Sequence, residues 1–142
     1  SHAKLKREIS LCDPDHNFIN ITGYVKHEKL PKLLHNADIF IFASSCENMP
    51  NTLVEAMAAR LPIACSNRGP MPEVLKDAGV YFDPERPEQI AEAVIKLLKD
   101  PKMMNNSADK AKSLSEHYSW EKCADQTCTF IVDTMIKINN KR

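Results

Sequence analysis

The sequence predicts an α/β domain built on a parallel sheet with flanking helices and followed by a helical extension. Three observations carry this. Short apolar or β-branched runs bounded by breakers alternate with helical periodicity between residues 17 and 82. Such strand–helix–strand alternation implies right-handed crossovers and parallel strands. After Phe82 the pattern turns to helix alone. The 142 residues suit one domain, since a chain of roughly 150 buries about two-thirds of its unfolded surface.

Taken in order, Ser1-His2 resembles a cleavage scar and is set aside. Residues 17–22 (NFINIT) read as the first strand and 28–36 as a helix. Residues 38–43 (DIFIFA) read as a second strand, apolar nearly throughout as one covered on both faces would be. The helix over 52–60 opens on Thr52-Leu53-Val54-Glu55, which spells a capping box. A strand at 62–66, a helix at 72–77 and a strand at 79–82 complete the alternation. Pro87 then takes a first-turn position with Glu88 beside the positive helix end, and Ile90, Val94, Leu97 and Leu98 form one apolar stripe before Asp100-Pro101 stops it. Helices over 102–117 and from Ser119 follow, the last with Trp120, Ala124, Thr127, Ile131, Met135 and Ile138 at spacings of three or four. Twenty residues of helix reach about 30 Å, which calls for a packing partner larger than this sheet. The reading is thus a single, incomplete Rossmann-like domain over 1–142, with 100–142 as the helical extension.

Composition excludes several functions. The three glycines, Gly23, Gly69 and Gly79, are too scattered to write a dinucleotide fingerprint or a Walker loop, so any phosphate is held another way. With 19 basic and 19 acidic residues the formal charge is zero, which argues against nucleic acid; Lys4, Lys6, Arg7, Lys137, Lys141 and Arg142 read as solvated termini. No run of about 18 apolar residues could span a membrane, and the polar start lacks a signal-peptide core. Five cysteines without a C-x-x-C pair read as free thiols in a reducing compartment, so the expected location is cytoplasmic. Cys123 and Cys128, five apart on a helix, do not converge on zinc, and no metal is expected.

The chemistry gathers after the second strand, in Ser44-Ser45-Cys46-Glu47-Asn48-Met49-Pro50-Asn51-Thr52-Leu53-Val54-Glu55. A loop there crosses the carboxyl edge of the sheet, where open α/β sheets bind ligands. The following helix start offers amides and partial positive charge to a phosphate or diphosphate. Glu47 and Glu55 flank that anion site, and an ionised carboxylate can accept both hydroxyls of a sugar diol. Capping alone would account for Glu55. For Glu47, a solvated surface role stands beside the functional one.

Residues 21–101 closely resemble the C-terminal half of family 4 retaining glycosyltransferases, which have the two-domain GT-B fold. The resemblance rests on Glu47, seven intervening residues and Glu55, then Ala56-Met57-Ala58-Ala59 and Leu61-Pro62-Ile63-Ala64. It continues through Gly69-Pro70-Met71-Pro72-Glu73-Val74-Leu75, Gly79-Val80-Tyr81-Phe82-Asp83-Pro84 and Ser119-Trp120-Glu121. It implies a partial GT-B C-terminal domain that binds a nucleotide-sugar such as a UDP- or GDP-hexose, without a metal. The whole enzyme would transfer the hexosyl group with retention to a glycan or lipid-linked acceptor held by an N-terminal domain, with peripheral membrane association of the full enzyme as a further expectation. By the same resemblance Glu47 is the catalytic residue beside the transferred sugar and Glu55 holds the ribose diol. Asn48, Met49, Pro50, Asn51, Thr52 and Leu53 line the sugar and diphosphate, while Tyr24 and Val25 lie against the base.

Two departures from the family pattern stand out. Where the family has Gly-Phe-Gly-Leu, this chain has Asn48-Met49-Pro50-Asn51, and Pro50 has no N–H to donate. The family's basic Arg and Lys, which neutralise the leaving diphosphate, follow the first strand of this domain, and the family's first two strands have no counterpart here. Expected alone, the fragment is inactive. Two other readings remain open from sequence: a different sugar-nucleotide enzyme such as an epimerase, and a non-catalytic α/β interaction module.

Overall fold

Residues 63–66 are the best place to enter the fold, because all four are buried. They form the central strand of a parallel sheet in a computed structural model that describes residues 2–139. Strand β1 (Phe40–Phe42), β2 (Ile63–Ser66) and β3 (Val80–Phe82) lie in that order, with Phe40 opposite Ile63 and Ser66 opposite Phe82. The predicted strands at 38–43, 62–66 and 79–82 are therefore present. Side chains of β2 alternate between two cores, as the two-residue period requires. Ile63 and Cys65 join Leu53, Met57, Met71 and Leu75 on one face, and Ala64 joins Phe82, Ala93 and Leu97 on the other.

The helices follow from local sequence. Helix α3 (Asn51–Ala58) buries Leu53, Ala56 and Met57 under the sheet, and α4 (Met71–Leu75) adds Met71, Val74 and Leu75. Helix α5 (Pro87–Lys99) has Pro87 in its first turn, as expected, and covers β2 and β3 with Ala93 and Leu97. Leu98, expected in that stripe, is instead 60% exposed. Asp100 ends α5 and caps α6 (Pro101–Ser115) by accepting the Met103 amide at 2.9 Å. Ser119 caps α7 (Trp120–Asn139) by accepting the Lys122 amide at 3.2 Å. That 20-residue helix buries none of its residues, and Trp120, Ile131, Met135 and Ile138 of the predicted stripe are exposed.

One expectation about β1 is corrected. It is not covered on both faces: Ile41 is 47% exposed, because β1 is an edge strand and α5 spans only β2 and β3 on that side.

The chain divides into two compact units, one up to Leu30 and one from Pro31 onward. In the first, α1 (His2–Cys12) had not been expected; its Lys4, Lys6 and Arg7 are exposed, as solvated residues should be. Lys137, in α7, is exposed too, whereas Ser1, Lys141 and Arg142 lie outside the described residues. Asp13, 1% exposed, follows α1 and accepts the amides of Asn17 at 2.8 Å, Phe18 at 3.0 Å and Ile19 at 2.7 Å. The predicted strand at 17–22 is therefore wrong: its first amides go to a carboxylate rather than to a ladder, and Phe18 and Ile21 face solvent. Desolvation works to raise the Asp13 pKa, but the three amides and His16 outweigh it and hold the carboxyl below its usual range. A single 3-10 turn (His27–Lys29) leads into α2 (Leu30–His35).

Candidate functional site

The carboxyl edge of the sheet carries three chain segments in succession: the loop after β1, the turn after β2 and the turn after β3. The first is the predicted Glu47 loop. Glu47 is half-buried, Asn48 and Met49 are exposed, and Pro50 is buried. Ser44 Oγ donates to the Cys46 carbonyl at 3.3 Å, bracing the approach to Glu47.

Helix α3 begins at Asn51 with Pro50 at the N-cap, and no side chain caps it. This shifts the expected register. Thr52 sits inside the first turn, so Thr52 and Glu55 do not hold the N-cap and N3 positions of a capping box, and that explanation of Glu55 falls away. Glu55 is half-buried in α3 and has an interaction partner within the protein. The Pro50 carbonyl accepts the amides of Leu53 at 2.9 Å and Val54 at 3.2 Å, and the Met49 carbonyl accepts that of Asn51 at 2.9 Å. Among the described residues, Thr52 is the first-turn residue whose amide has no such partner. An anion at this helix start would meet one free amide and the helix dipole.

Beside this loop runs the turn after β2. Gly69 has φ +52°, and a β-carbon placed there would lie 3.9 Å from the Glu47 carbonyl oxygen, an ordinary van der Waals separation that makes the turn a neighbour of the Glu47 loop. The turn is tied to its neighbours by Asn67 N–H donating to the Phe82 carbonyl at 2.9 Å and by Arg68 N–H donating to buried Ser66 Oγ at 3.2 Å. Arg68 Nη2 reaches both Asp83 oxygens, at 3.1 and 3.2 Å. The Glu85 amide and then Arg68 hold the Asp83 carboxyl below its usual range. Neither Arg68 nor Asp83 was singled out from sequence. A usable signal was their place directly after successive parallel strands, which puts both at the ligand edge.

The fold thus brings Glu47, Asn48, Met49, Pro50, Asn51, Thr52, Leu53 and Glu55 together along one loop and helix start. Tyr24, 90% exposed, and Val25, half-buried, belong to the unit that ends at Leu30. All five cysteines are free thiols, and only Cys65 is buried. No described helix is long and apolar enough to cross a membrane.

Comparison with known proteins places this geometry in context. Residues 2–114 match the family model described as glycosyl transferases group 1. O-antigen chain mannosyltransferase B of Escherichia coli is 33% identical over 110 residues, which are 78% of this chain and 29% of that protein. The chain therefore spans about three-tenths of the length of this curated relative. Among solved structures, sucrose-phosphate synthase from Thermosynechococcus elongatus superposes with a TM-score of 0.82 at 18% identity, covering 96% of this chain and 35% of that one. The C-terminal domain of a glycosyl transferase group 1 family protein from Francisella tularensis gives 0.69 at 24% identity, covering 82% and 60%. These two likenesses show the fold: a Rossmann-like α/β arrangement of the GT-B C-terminal kind.

Proposed function

The chain belongs to the glycosyl transferases group 1 family, and from that premise we propose that it supplies the donor half-site of an enzyme that transfers a hexosyl group from a nucleotide-sugar, with retention and without a metal. The observation that carries the reading is the Glu47 loop: a half-buried carboxylate and, five residues on, an unpartnered helix-start amide at Thr52, both on the segment that follows β1 at the carboxyl edge of a parallel sheet.

The chemistry asks for such a pairing. As the bond from the anomeric carbon to the phosphate oxygen breaks, the electron pair leaves with the nucleoside diphosphate and the sugar becomes oxocarbenium-like. Glu47 faces the cationic end and stabilises it. The Thr52 amide and the α3 dipole take part of the developing negative charge. The acceptor hydroxyl adds to the face that the diphosphate leaves, and its proton passes to the departing phosphate oxygen, which accounts for retention. Glu55 holds the ribose diol. The acceptor, a glycan or a lipid-linked glycan, is bound by a part of the enzyme outside this sequence, in keeping with the share of its relative that the chain spans.

Two measurements test the reading. Titration of the complete enzyme with UDP and with GDP should show binding of one of them, weakened at least about tenfold by Glu55→Ala. Binding of neither would favour a non-catalytic interaction module. Glu47→Ala should lower transfer by roughly 100-fold or more, with nucleotide binding retained. Normal transfer would remove Glu47 from the mechanism.

A further inference from the structure

We propose that Arg68, latched to Asp83, is a positioning residue that fixes the backbone of the Glu47 loop. The inference rests on the donor-site reading of Glu47 and extends it to residues with no assigned role. Gln89 on α5 accepts the Asp83 amide at 2.9 Å, and the Glu85 amide donates to Asp83 Oδ1 at 3.1 Å, so the carboxylate is anchored to β3 and its following turn. Asp83 in turn holds Arg68 Nη2 through both oxygens. Arg68 immediately precedes Gly69, where an added β-carbon would come within 3.9 Å of the Glu47 carbonyl oxygen, so the turn neighbours the Glu47 loop. Gly69 itself occupies the left-handed region, at φ +52°, and cannot fix the turn by its own stiffness. Removing the latch leaves the turn held by its backbone alone, through the Asn67 amide to Phe82, the Arg68 amide to Ser66 Oγ and the Met71 amide to the Arg68 carbonyl at 3.4 Å, and takes away the side-chain tie between the turn and β3.

The ion pair is partly exposed, with the Arg68 side chain 48% and the Asp83 side chain 25% accessible, so it adds little to global stability. Its effect is local. A reacting group displaced by about 1 Å can lose up to roughly 100-fold in rate, so even partial loosening is readable in kcat. The contact uses one nitrogen of Arg68, which a lysine ammonium can replace.

The test uses the complete enzyme with Arg68→Ala, Asp83→Ala, the double variant and Arg68→Lys. Expected are a fall in kcat of roughly tenfold in either alanine variant with donor KM within about twofold, no further loss in the double variant, and recovery in Arg68→Lys. Melting temperature should stay essentially unchanged, while amide hydrogen exchange over residues 44–53 accelerates in both alanine variants. A rise in donor KM at constant kcat would make Arg68 a direct ligand and overturn the proposal, as would additive losses or unchanged exchange. Normal transfer by Glu47→Ala would instead sink the donor-site reading, and the exchange measurement would still decide whether the latch holds the loop.

Discussion

Substituting Gly79 by alanine should cost far more than its single methyl suggests. The position precedes β3, where the backbone passes against β2 and α4. A β-carbon there would stand 2.5 Å from Leu75 Cδ2, 2.8 Å from the Ile63 carbonyl oxygen and 3.3 Å from Leu75 Cγ. Optimal carbon contacts lie near 3.5–4.0 Å, so two of these are deep overlaps. Neither neighbour can yield cheaply. Leu75 is fully buried in the larger core, and Ile63 opens the central strand, with Phe40 opposite it on β1. Overpacking of this kind costs about 1–3 kcal/mol and more where backbone must move, so about 3 kcal/mol is expected for Gly79→Ala. The control is Gly23→Ala, where φ is +65° and nothing lies within 4 Å of the new carbon. There only the left-handed backbone is penalised, by about 1 kcal/mol. Urea unfolding followed by circular dichroism measures both. Equal losses, or a loss below about 1 kcal/mol for Gly79→Ala, would show that the overlap does not act as argued.

Other expectations follow from single contacts. Leu97→Ala, which empties a fully buried site under β2 and β3, should lose about 2–5 kcal/mol, whereas exposed Leu98→Ala should lose under about 0.5 kcal/mol; equal losses in urea would misplace the buried face of α5. Cys65 is buried, and desolvation pushes its thiol up to about 12, so mass spectrometry after alkylation at neutral pH should find it unmodified in the native protein and modified in denaturant, with Cys46 labelled in both. Asp13→Asn should speed amide exchange at Asn17, Phe18 and Ile19. Because the native Asp13 pKa is lowered, its stabilisation is complete above the unfolded value of about 3.9 and is lost as pH falls through the lower native value; the variant's acid unfolding should lack that component.

The strands and helices of the second unit were legible because their signals are local: β-branched or apolar runs between breakers, Pro87 opening α5, Asp100-Pro101 ending it and Ser119 as a cap. What failed depended on where a backbone group finds its partner. Residues 17–22 have strand composition, yet Asp13 takes their first amides. The Thr-x-x-Glu pattern at Thr52 fits a capping box only if the helix starts there, and Pro50 starts it earlier. Helix α1 went unread although Leu5, Ile9 and Cys12 fall at helical spacing. The Glu47 loop was recognisable from residue order, but the Arg68–Asp83 contact emerges only with the register that sets Ser66 beside Phe82.

That register also bears on how a chain with three glycines can handle a diphosphate. A glycine-rich loop offers several amides converging on the phosphates. Here Pro50 contributes none, and at the helix start the Asn51, Leu53 and Val54 amides are spent on the Met49 and Pro50 carbonyls, leaving that of Thr52. Neutral amides and a helix end worth roughly half an elementary charge do not balance a departing nucleoside diphosphate. The proposed donor-binding function therefore requires positive charge from side chains outside residues 43–53, and Arg68 is already paired with Asp83. Nucleotide affinity of this segment by itself should therefore fall well below that of the complete enzyme, and should fall further as salt screens the partial charge at the start of α3.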